Sequence, residues 1–228
     1  MKIALCLSGQ SRFVEEGYKL FSKNLIGFEN FDIFVHSWED NEYQKVLDLY
    51  NITNHIIEPQ RYDITFDESN IDYSQKDAGS GNFVHYSMFY SIWKSSQLKQ
   101  MYEKNHNFKY DCVIKSRFDV ALLDKLDVMN QNLNYINSPD VCGNPNVISD
   151  WFNFSNSDNM DVYLDVYHNM PQYKSDGVIM TAGEELFTHH YKKNALEIKK
   201  IACNLCLIRN NETSIPYWIS VEKIGNIL

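Results

Sequence analysis

The stretch "KIALCLSGQSRF", residues 2–13, decides the expected fold. Its apolar run from Ile3 to Leu7 has the length of a buried strand and closes on Ser8 and Gly9. An amphipathic segment with apolar residues at helical spacing follows over residues 12–26. Polar residues come directly after the short apolar run, so we interpret it as a strand and not as a signal peptide.

Strands and helices then alternate along the chain. "FDIFVHSW", residues 31–38, and "HIIEP", residues 55–59, predict a second and a third strand with a short helix over residues 42–51 between them. A long helix is predicted over residues 84–106, and it leads into the apolar run "YDCVIKSRFDVAL", residues 110–122. This alternation predicts an α/β fold with a mostly parallel central sheet flanked by helices.

The remaining segments carry shorter patterns. The stretch from 60 to 82 is polar and rich in Asp, Ser and Gly, which predicts a long surface loop. The patterns further along the chain predict a strand over residues 147–156, helices over residues 157–170 and 182–197, and a last strand or ordered arm over residues 214–225. No linker composition divides the chain, so we expect residues 1–228 to form a single domain.

Composition limits the classes of function. The chain has 228 residues, of which 44% are hydrophobic, and is long enough to bury a sizeable core. Its formal net charge of −9, without a Lys/Arg stripe, argues against a nucleic acid partner. No window approaches the roughly 18 apolar residues of a membrane span, so we expect no transmembrane segment and a soluble, cytoplasmic protein, in the host cytoplasm if the source is a virus.

Cysteine usage points to a reducing compartment. The five cysteines are odd in number and partly embedded in apolar runs, which is typical of reduced thiols and not of a disulfide framework. Cys203 and Cys206 form one isolated C-x-x-C motif. Without a second pair or nearby histidines, this motif is weak evidence for zinc or redox chemistry.

Polar residues at the ends of several predicted strands should share one crevice, because open parallel sheets bind ligands at the carboxyl ends of their strands. The residues in question are Ser8, Gly9 and Arg12 after the first strand, His36 and Trp38 in the second, and Lys115, Arg117 and Asp119 in the run over residues 110–122. Backbone N–H groups of Ser8 and Gly9 at a helix entrance would suit a phosphate or a ribose hydroxyl. Neither a dinucleotide fingerprint nor a P-loop is present.

Three charges interrupt the apolar run over residues 110–122 at two-residue spacing. On one strand, Lys115, Arg117 and Asp119 would project toward the same side. Asp119 could hold Mn²⁺ or Mg²⁺ together with phosphate oxygens and water. Alternatively, the Arg117 guanidinium could bind a diphosphate directly with its bidentate donors. The third alternative is an ordinary ion pair between Arg117 and Asp119 at the edge of the sheet.

Several of these motifs together resemble a known family. The segments concerned are "KIALCLSGQSRF", "DIFVHSW", "YDCVIKSRFDV", "ISDWFNFSNSDNMDVY" and "GEELFTHHY". They resemble small glycosyltransferase-type proteins of bacterial and viral polysaccharide loci, which are similar to the GT-A nucleotide-diphospho-sugar transferases. The resemblance implies a GT-A-like, Rossmann-like domain and a strand-end D-x-D motif that binds a divalent cation, Mn²⁺ or Mg²⁺. This chain departs from that motif, because Arg117 stands in place of the first acidic residue and leaves Asp119 as the expected metal ligand.

Candidate catalytic residues follow from the resemblance and from the chemistry of transfer. The resemblance places Asp150 near the sugar or the acceptor, although a turn or helix cap would also explain an Asp there. A base must deprotonate the acceptor hydroxyl, and Glu184 or Glu185 at a predicted helix start is the candidate. Adjacent helical residues point about 100° apart, and helical phase favours Glu184. The alternative is that both acids only interact favourably with the helix dipole.

The second strand supplies the remaining candidates. His36 and Trp38 are expected to line the nucleotide or acceptor pocket, where an indole face would stack on a base or a sugar. Buried aromatic packing is the alternative for both residues. The sequence therefore leaves both roles open for His36 and Trp38, ligand binding and packing in the core.

The expected function is transfer of a monosaccharide from a nucleotide-sugar donor to the hydroxyl of a glycan or lipid-linked acceptor, in polysaccharide biosynthesis. Asp119 with its metal, helped by Arg117 or Lys115, would stabilise the departing nucleoside diphosphate. A sugar-1-phosphate nucleotidyltransferase is a second alternative, disfavoured because the first loop lacks Gly-rich, basic character. A non-catalytic nucleotide-sugar or glycan-binding module is the third, motivated by the incomplete D-x-D motif.

Overall fold

A computed structural model describes residues 1–60, 82–140, 148–178, 183–210 and 218–227. Residues 61–81 of the predicted loop and residues 214–217 of the predicted tail lie outside these ranges, as does Cys142. The strands within them are β1 (Ile3–Gly9), β2 (Asp32–Trp38), β3 (Ile52–Glu58), β4 (Cys112–Ser116), β5 (Val120–Leu122), β6 (Ile136–Pro139), β7 (Phe152–Ser155), β8 (Ile198–Ile201), β9 (Leu205–Arg209) and β10 (Trp218–Ser220). The helices are α1 (Val14–Asn24), α2 (Tyr43–Leu49), α3 (Asn82–His106), α4 (Ser157–Tyr163), α5 (Val166–Ser175), α6 (Gly183–Lys193) and α7 (Val221–Gly225).

Seven of the described strands form one mixed sheet in the order β3-β2-β1-β4-β7-β6-β8. The strands β3, β2, β1 and β4 are parallel, β6 and β8 are parallel, and β7 runs antiparallel to both of its neighbours. The strands β10, β9 and β5 form a second, small sheet that the sequence did not predict. The expected α/β class, with a mostly parallel sheet flanked by helices, is confirmed.

The central strand β1 is buried on both faces, which explains its continuous apolar run. Ala4 and Cys6 face a core cluster that includes Phe89 of α3, whereas Leu5 and Leu7 face a second cluster on the opposite side of the sheet. Tyr86, Phe89 and Tyr90 of α3 all belong to the first of these clusters and therefore form part of the core. Among the described helices, none combines the length and the apolar character needed to cross a membrane.

The apolar run over residues 110–122 is divided between two strands, so Lys115, Arg117 and Asp119 do not project from one strand as expected. β4 ends at Ser116, and β5 begins at Val120 and pairs with β9 in the small sheet. The residues between them form a turn whose central Phe118 side chain is fully buried in the core. The chain leaves the large sheet because this turn packs inward, so Arg117 and Asp119 lie on the turn while Lys115 lies on β4.

The helix predicted over residues 157–170 is also corrected, because it is two helices. α4 ends at Tyr163 and α5 begins at Val166. The interruption falls at Asp165, whose carboxylate bonds the ring of His168 at 2.6 Å. Asp is a poorer helix former than most residues, and the Asp165 carboxylate contacts a side chain instead of capping α5.

The C-x-x-C motif lies at the start of β9, the central strand of the small sheet. Cys206 belongs to β9, Cys203 precedes it, and both thiols are free and half-buried. Cys6 and Cys112 are free and buried in the large sheet.

Candidate functional site

A cavity of about 360 Å³ opens at the carboxyl ends of β1, β2 and β4. The chain builds β1, β2 and β3 outward to one edge of the sheet and then places β4 on the other side of β1. Open α/β sheets bind ligands at this kind of reversal in strand order. The cavity is lined by several of the predicted strand-end residues: Ser8, Gly9, Arg12 and Trp38, together with Lys115, Arg117, Asp119 and Asp150.

Lys115 is a fully buried cation in the cavity wall. Its ammonium donates to the backbone carbonyl of Asp150, and it lies 5.4 Å from the ring centroid of Phe187. Burial lowers the pKa of Lys115 to about 8, against the opposing attraction of Asp150. The site therefore contains a lysine that changes charge just above neutral pH.

Arg117, Asp119 and Arg209 form an ion-paired triad, which we call the Arg–Asp–Arg triad. Arg117 donates from Nε and Nη2 to the two carboxylate oxygens of Asp119, each at 2.8 Å. Arg209 in β9 donates from Nη1 to Asp119 Oδ2 at 2.9 Å. Asp119 is only 3% exposed, and although burial opposes its ionisation, the two guanidinium groups hold its pKa below the ordinary value. Of the three alternatives for Arg117 and Asp119, this geometry is that of an ion pair.

The residues around Asp119 do not fit the expected Mn²⁺ or Mg²⁺. Both carboxylate oxygens already accept guanidinium hydrogen bonds, and two positive groups around one negative group leave the triad with one net positive charge. A divalent cation would have to displace an arginine, and hard ions also require several oxygen ligands. In the part of the chain that the structure describes, no group of three His, Cys, Asp or Glu side chains is placed to hold a metal.

Asp150 brings a carboxylate to the same cavity from the residue pair that precedes β7. It is 7% exposed, and its Oδ1 atom has no hydrogen-bond partner among the described residues. Gly183, the first described residue of α6, lies against it: a Cβ at that position would come within 3.0 Å of Asp150 Oδ2 and 2.7 Å of Met88 Cε. The glycine therefore permits the start of α6 to approach the cavity wall closely.

Glu184 and Glu185 differ in exposure, and neither is among the residues that line the cavity. Glu184 is half-buried, whereas Glu185 is exposed. Burial raises the pKa of Glu184, the Asp150 carboxylate raises it further, and Lys115 and Arg117 act in the opposite direction. Glu184 thus shares an electrostatic environment with the charged residues of the cavity wall.

His36 is not part of the cavity, which corrects its expected place in the nucleotide pocket. Its ring is fully buried, with Nδ1 at 2.7 Å from Ser91 Oγ and Nε2 at 3.0 Å from Glu58 Oε1. Burial lowers the pKa of His36 to about 4, so the ring is neutral at pH 7. Since ionised Glu58 only accepts, Nε2 donates to it and Nδ1 accepts from Ser91. His36 connects β2, β3 and α3.

Trp38 does line the cavity. Its indole is buried and stacked on Tyr90, with ring centroids 5.8 Å apart and an interplanar angle of 13°. Packing and a place in the cavity wall are therefore combined at this residue.

The expected phosphate-binding role of the Ser8 and Gly9 backbone is also corrected. The Gly9 N–H donates to Ser91 Oγ at 2.8 Å, and Ser8 N–H lies within the strand β1. α1 begins only at Val14, so these groups do not stand at a helix entrance. What Gly9 contributes is a backbone with φ of +109° and open space beside its Cα, a conformation that favours glycine.

Arg12 is exposed and joins two cavities. It lines the cavity at the carboxyl ends of β1, β2 and β4, which we call the first cavity. It also lines a wider, more open cavity of about 820 Å³ beside the start of α1. Arg209 lines the wider cavity, whereas its partner Asp119 lines the first. The Arg–Asp–Arg triad therefore lies between the two. Sequence reasoning did not single out Arg209, since it is simply the polar end of an apolar strand.

Comparison with known proteins gives one family. No curated protein matches the chain. A family model described as a domain of unknown function, DUF7796, matches residues 1–222. The matched range runs from β1 to the first residues of α7 and includes every residue that lines the cavity at the strand ends. The chain therefore belongs to the DUF7796 family.

Proposed function

We propose that the chain is a glycosyltransferase that moves a monosaccharide from a nucleotide-diphospho-sugar to a hydroxyl of a glycan or lipid-linked acceptor. The observation that carries the proposal is the cavity at the reversal of strand order, where cations and carboxylates converge. Lys115 and Arg117 supply positive charge for a diphosphate, and Trp38 supplies an aromatic surface for a base or a sugar. The volume of about 360 Å³ suits a small-molecule ligand.

The chemistry of transfer assigns a role to each charged group. The bond between the anomeric carbon and the diphosphate oxygen breaks, a bond to the acceptor oxygen forms, and the acceptor proton passes to a base. Lys115 and Arg117 stabilise the negative charge that develops on the departing diphosphate. Glu184 takes the acceptor proton, because its raised pKa lies closer to neutral pH than the pKa of an ordinary glutamate. Asp150, whose charge raises the pKa of Glu184, lines the cavity and orients the reacting hydroxyl.

Two other functions are compatible with a ligand site at this position of the fold. A non-catalytic nucleotide-sugar-binding module is favoured by one observation, the engagement of Asp119 in two ion pairs where the resemblance implies a metal ligand. A sugar-1-phosphate nucleotidyltransferase is disfavoured, because the Gly9 N–H at the end of β1 is already bonded to Ser91 and is not available to a triphosphate.

A thermal-shift screen of nucleotide sugars, followed by an assay for released nucleoside diphosphate, tests the proposal. We expect nucleotide sugars of one base to raise the melting temperature, because a ligand that binds only the folded state stabilises it. Release of nucleoside diphosphate that depends on an added acceptor supports a transferase. Stabilisation without release under any acceptor supports the binding module. A screen in which no nucleotide sugar raises the melting temperature contradicts both.

A further inference from the structure

We infer that Arg117 binds the diphosphate of the donor without a divalent cation, and that Asp119 and Arg209 are positioning residues that hold its guanidinium in place. The inference rests on the proposed function, because it takes the ligand to be a nucleoside diphosphate. It replaces the metal site that the D-x-D resemblance implies with an arginine site. It also gives a role to Arg209, a residue ninety positions from Asp119 in the chain.

The guanidinium of Arg117 has donors left to bind a second anion. A guanidinium has five N–H donors, and Asp119 occupies only the Nε and Nη2 edge. Arg117 lines the cavity, and its side chain is 27% exposed, so it is the accessible member of the pair. Because Asp119 fixes the guanidinium on one edge, little side-chain freedom remains to be lost when a phosphate binds the other.

Arg209 keeps the site positive. Arg117 and Asp119 alone would form a neutral pair with little attraction for an anion. The second guanidinium restores one net positive charge. Lys115 is offset by Asp150 in the same wall of the cavity, and Arg12 adds a further positive charge. Such positive charge favours a diphosphate and opposes the entry of Mn²⁺ or Mg²⁺.

Arg209 is itself held firmly, which suits a positioning residue. Its Nη1 donates both to Asp119 and, at 2.6 Å, to the carbonyl of Ile208. Its guanidinium also lies 4.9 Å from the ring centroid of Trp218. Arg209 does not line the first cavity, so it acts on a ligand there through Asp119.

Calorimetric titration of the wild-type protein with UDP, GDP, ADP and CDP tests the inference directly. Each nucleotide is titrated in EDTA and again with Mn²⁺ or Mg²⁺. We expect the nucleotide that binds to do so with dissociation constants that agree within about twofold in the two buffers. Binding that requires the metal overturns the inference and leaves the proposed function standing. Absence of binding by every nucleotide in every buffer overturns the inference and contradicts the proposed function as well, which separates the two failures.

Variants of the triad test the positioning roles. We expect Arg209→Gln to weaken nucleotide binding about tenfold in EDTA and equally with Mn²⁺, because a charged hydrogen bond that fixes Asp119 is lost. Arg209→Lys should recover part of the affinity, since it keeps the positive charge, whereas a merely structural role would show no such recovery. Lys23→Gln, at an exposed cation on α1, is the matched control for charge.

Asp119→Asn distinguishes the positioning role from metal binding. A positioning residue predicts weaker binding in both buffers, whereas a metal ligand predicts the loss of only the metal-supported binding, and that result would overturn the inference. If Asp119→Asn does not fold, the Arg209 variants and the wild-type titration decide the question without it. Unchanged affinity in Arg209→Gln would remove Arg209 from the site.

Discussion

Gly17 of α1 packs directly against the backbone carbonyl of Phe118, and a Cβ at position 17 would overlap that oxygen. Phe118 is the middle residue of the turn between β4 and β5, and it stands between Arg117 and Asp119. Glycine inside a helix costs about 1 kcal/mol relative to alanine. Position 17 requires glycine because the backbones of α1 and of the turn are in direct contact. This contact fixes the position of the Arg–Asp–Arg triad.

Gly17→Ala should therefore destabilise the protein and weaken ligand binding together. We expect a loss of about 1–3 kcal/mol in the free energy of unfolding, because the added methyl forces the turn away from α1. Gly225→Ala is the matched control, since a Cβ there meets open space and α7 also ends at this residue. Urea unfolding measures both variants. Equal stability of the two would show that the turn accommodates the methyl group.

Glu184→Gln should abolish sugar transfer and at the same time stabilise the fold at neutral pH. Because the folded-state pKa of Glu184 lies above its ordinary value of 4.5, the folded protein keeps this proton to a higher pH than the unfolded chain does. The stability that Glu184 contributes is therefore complete below pH 4.5 and is lost as pH rises through the folded pKa. Urea unfolding from pH 4 to pH 8 should show the Gln variant gaining on the wild type as pH rises.

Glu185→Gln is the control, because it changes the adjacent and exposed residue of the same helix. We expect it to bind donor and transfer sugar as the wild type does. Retained donor binding with lost transfer in Glu184→Gln alone supports its role as the base. Equal activity of the two variants would exclude this pair from the mechanism.

His36 should make the fold sensitive to acid between about pH 6.5 and pH 4. Its folded pKa is depressed from 6.5 to about 4 by burial, so below pH 6.5 the unfolded chain takes up a proton that the folded protein does not. The contribution of His36 to the free energy of unfolding is therefore fully present above pH 6.5. It decreases as the pH is lowered, by about 3 kcal/mol in total. His36→Gln should reduce this slope in urea unfolding at pH 7, 6 and 5.

Exposed His55 provides the comparison for this measurement. His55→Gln removes an exposed imidazole from β3 and should leave the slope as it is in the wild type. Some slope should remain in His36→Gln, because burial also lowers the pKa of His190. A slope that is the same in both variants would show that the acid sensitivity arises elsewhere.

Sequence patterns predict the first half of the fold well because its parallel strands are buried on both faces. β2, predicted over residues 31–38, is observed as Asp32–Trp38, and the helix predicted over residues 84–106 is observed as α3. The short strands β6 and β8 were missed. Their sequences, "INSP" and "IKKI", are half polar, and their strand conformation depends on pairing with each other across the chain.

The candidate site is predictable only where strand ends determine it. Lys115 and Asp150 meet because β4 and β7 are neighbours in the sheet, and polar residues near strand ends indicate such a meeting. The Asp119–Arg209 and Gly9–Ser91 contacts join residues 90 and 82 positions apart. No local pattern links such partners, because they come together only when the second sheet and α3 are packed.

Lys115 should make ligand binding and stability respond to alkaline pH in opposite directions. Its folded pKa is depressed to about 8 from 10.5, so it loses its proton in the folded state first. Above about pH 8 the cavity loses a positive charge, and we expect the affinity for nucleoside diphosphate to fall. Over the range from about 8 to 10.5, the unfolded chain binds more protons than the folded one, so the contribution of Lys115 to the free energy of unfolding rises with pH.

Lys115→Met removes the ammonium group and keeps the length of the side chain, so it should abolish both responses. Its nucleotide affinity should be low and independent of pH between 7 and about 9.5, because no buried amine titrates there. Lys104→Met, at an exposed position of α3, is the control and should keep the wild-type profile. Calorimetry at several pH values measures the affinity, and urea unfolding over the same range measures the stability. A Lys115→Met variant that binds nucleoside diphosphate with wild-type affinity and wild-type pH dependence would remove Lys115 from the binding site.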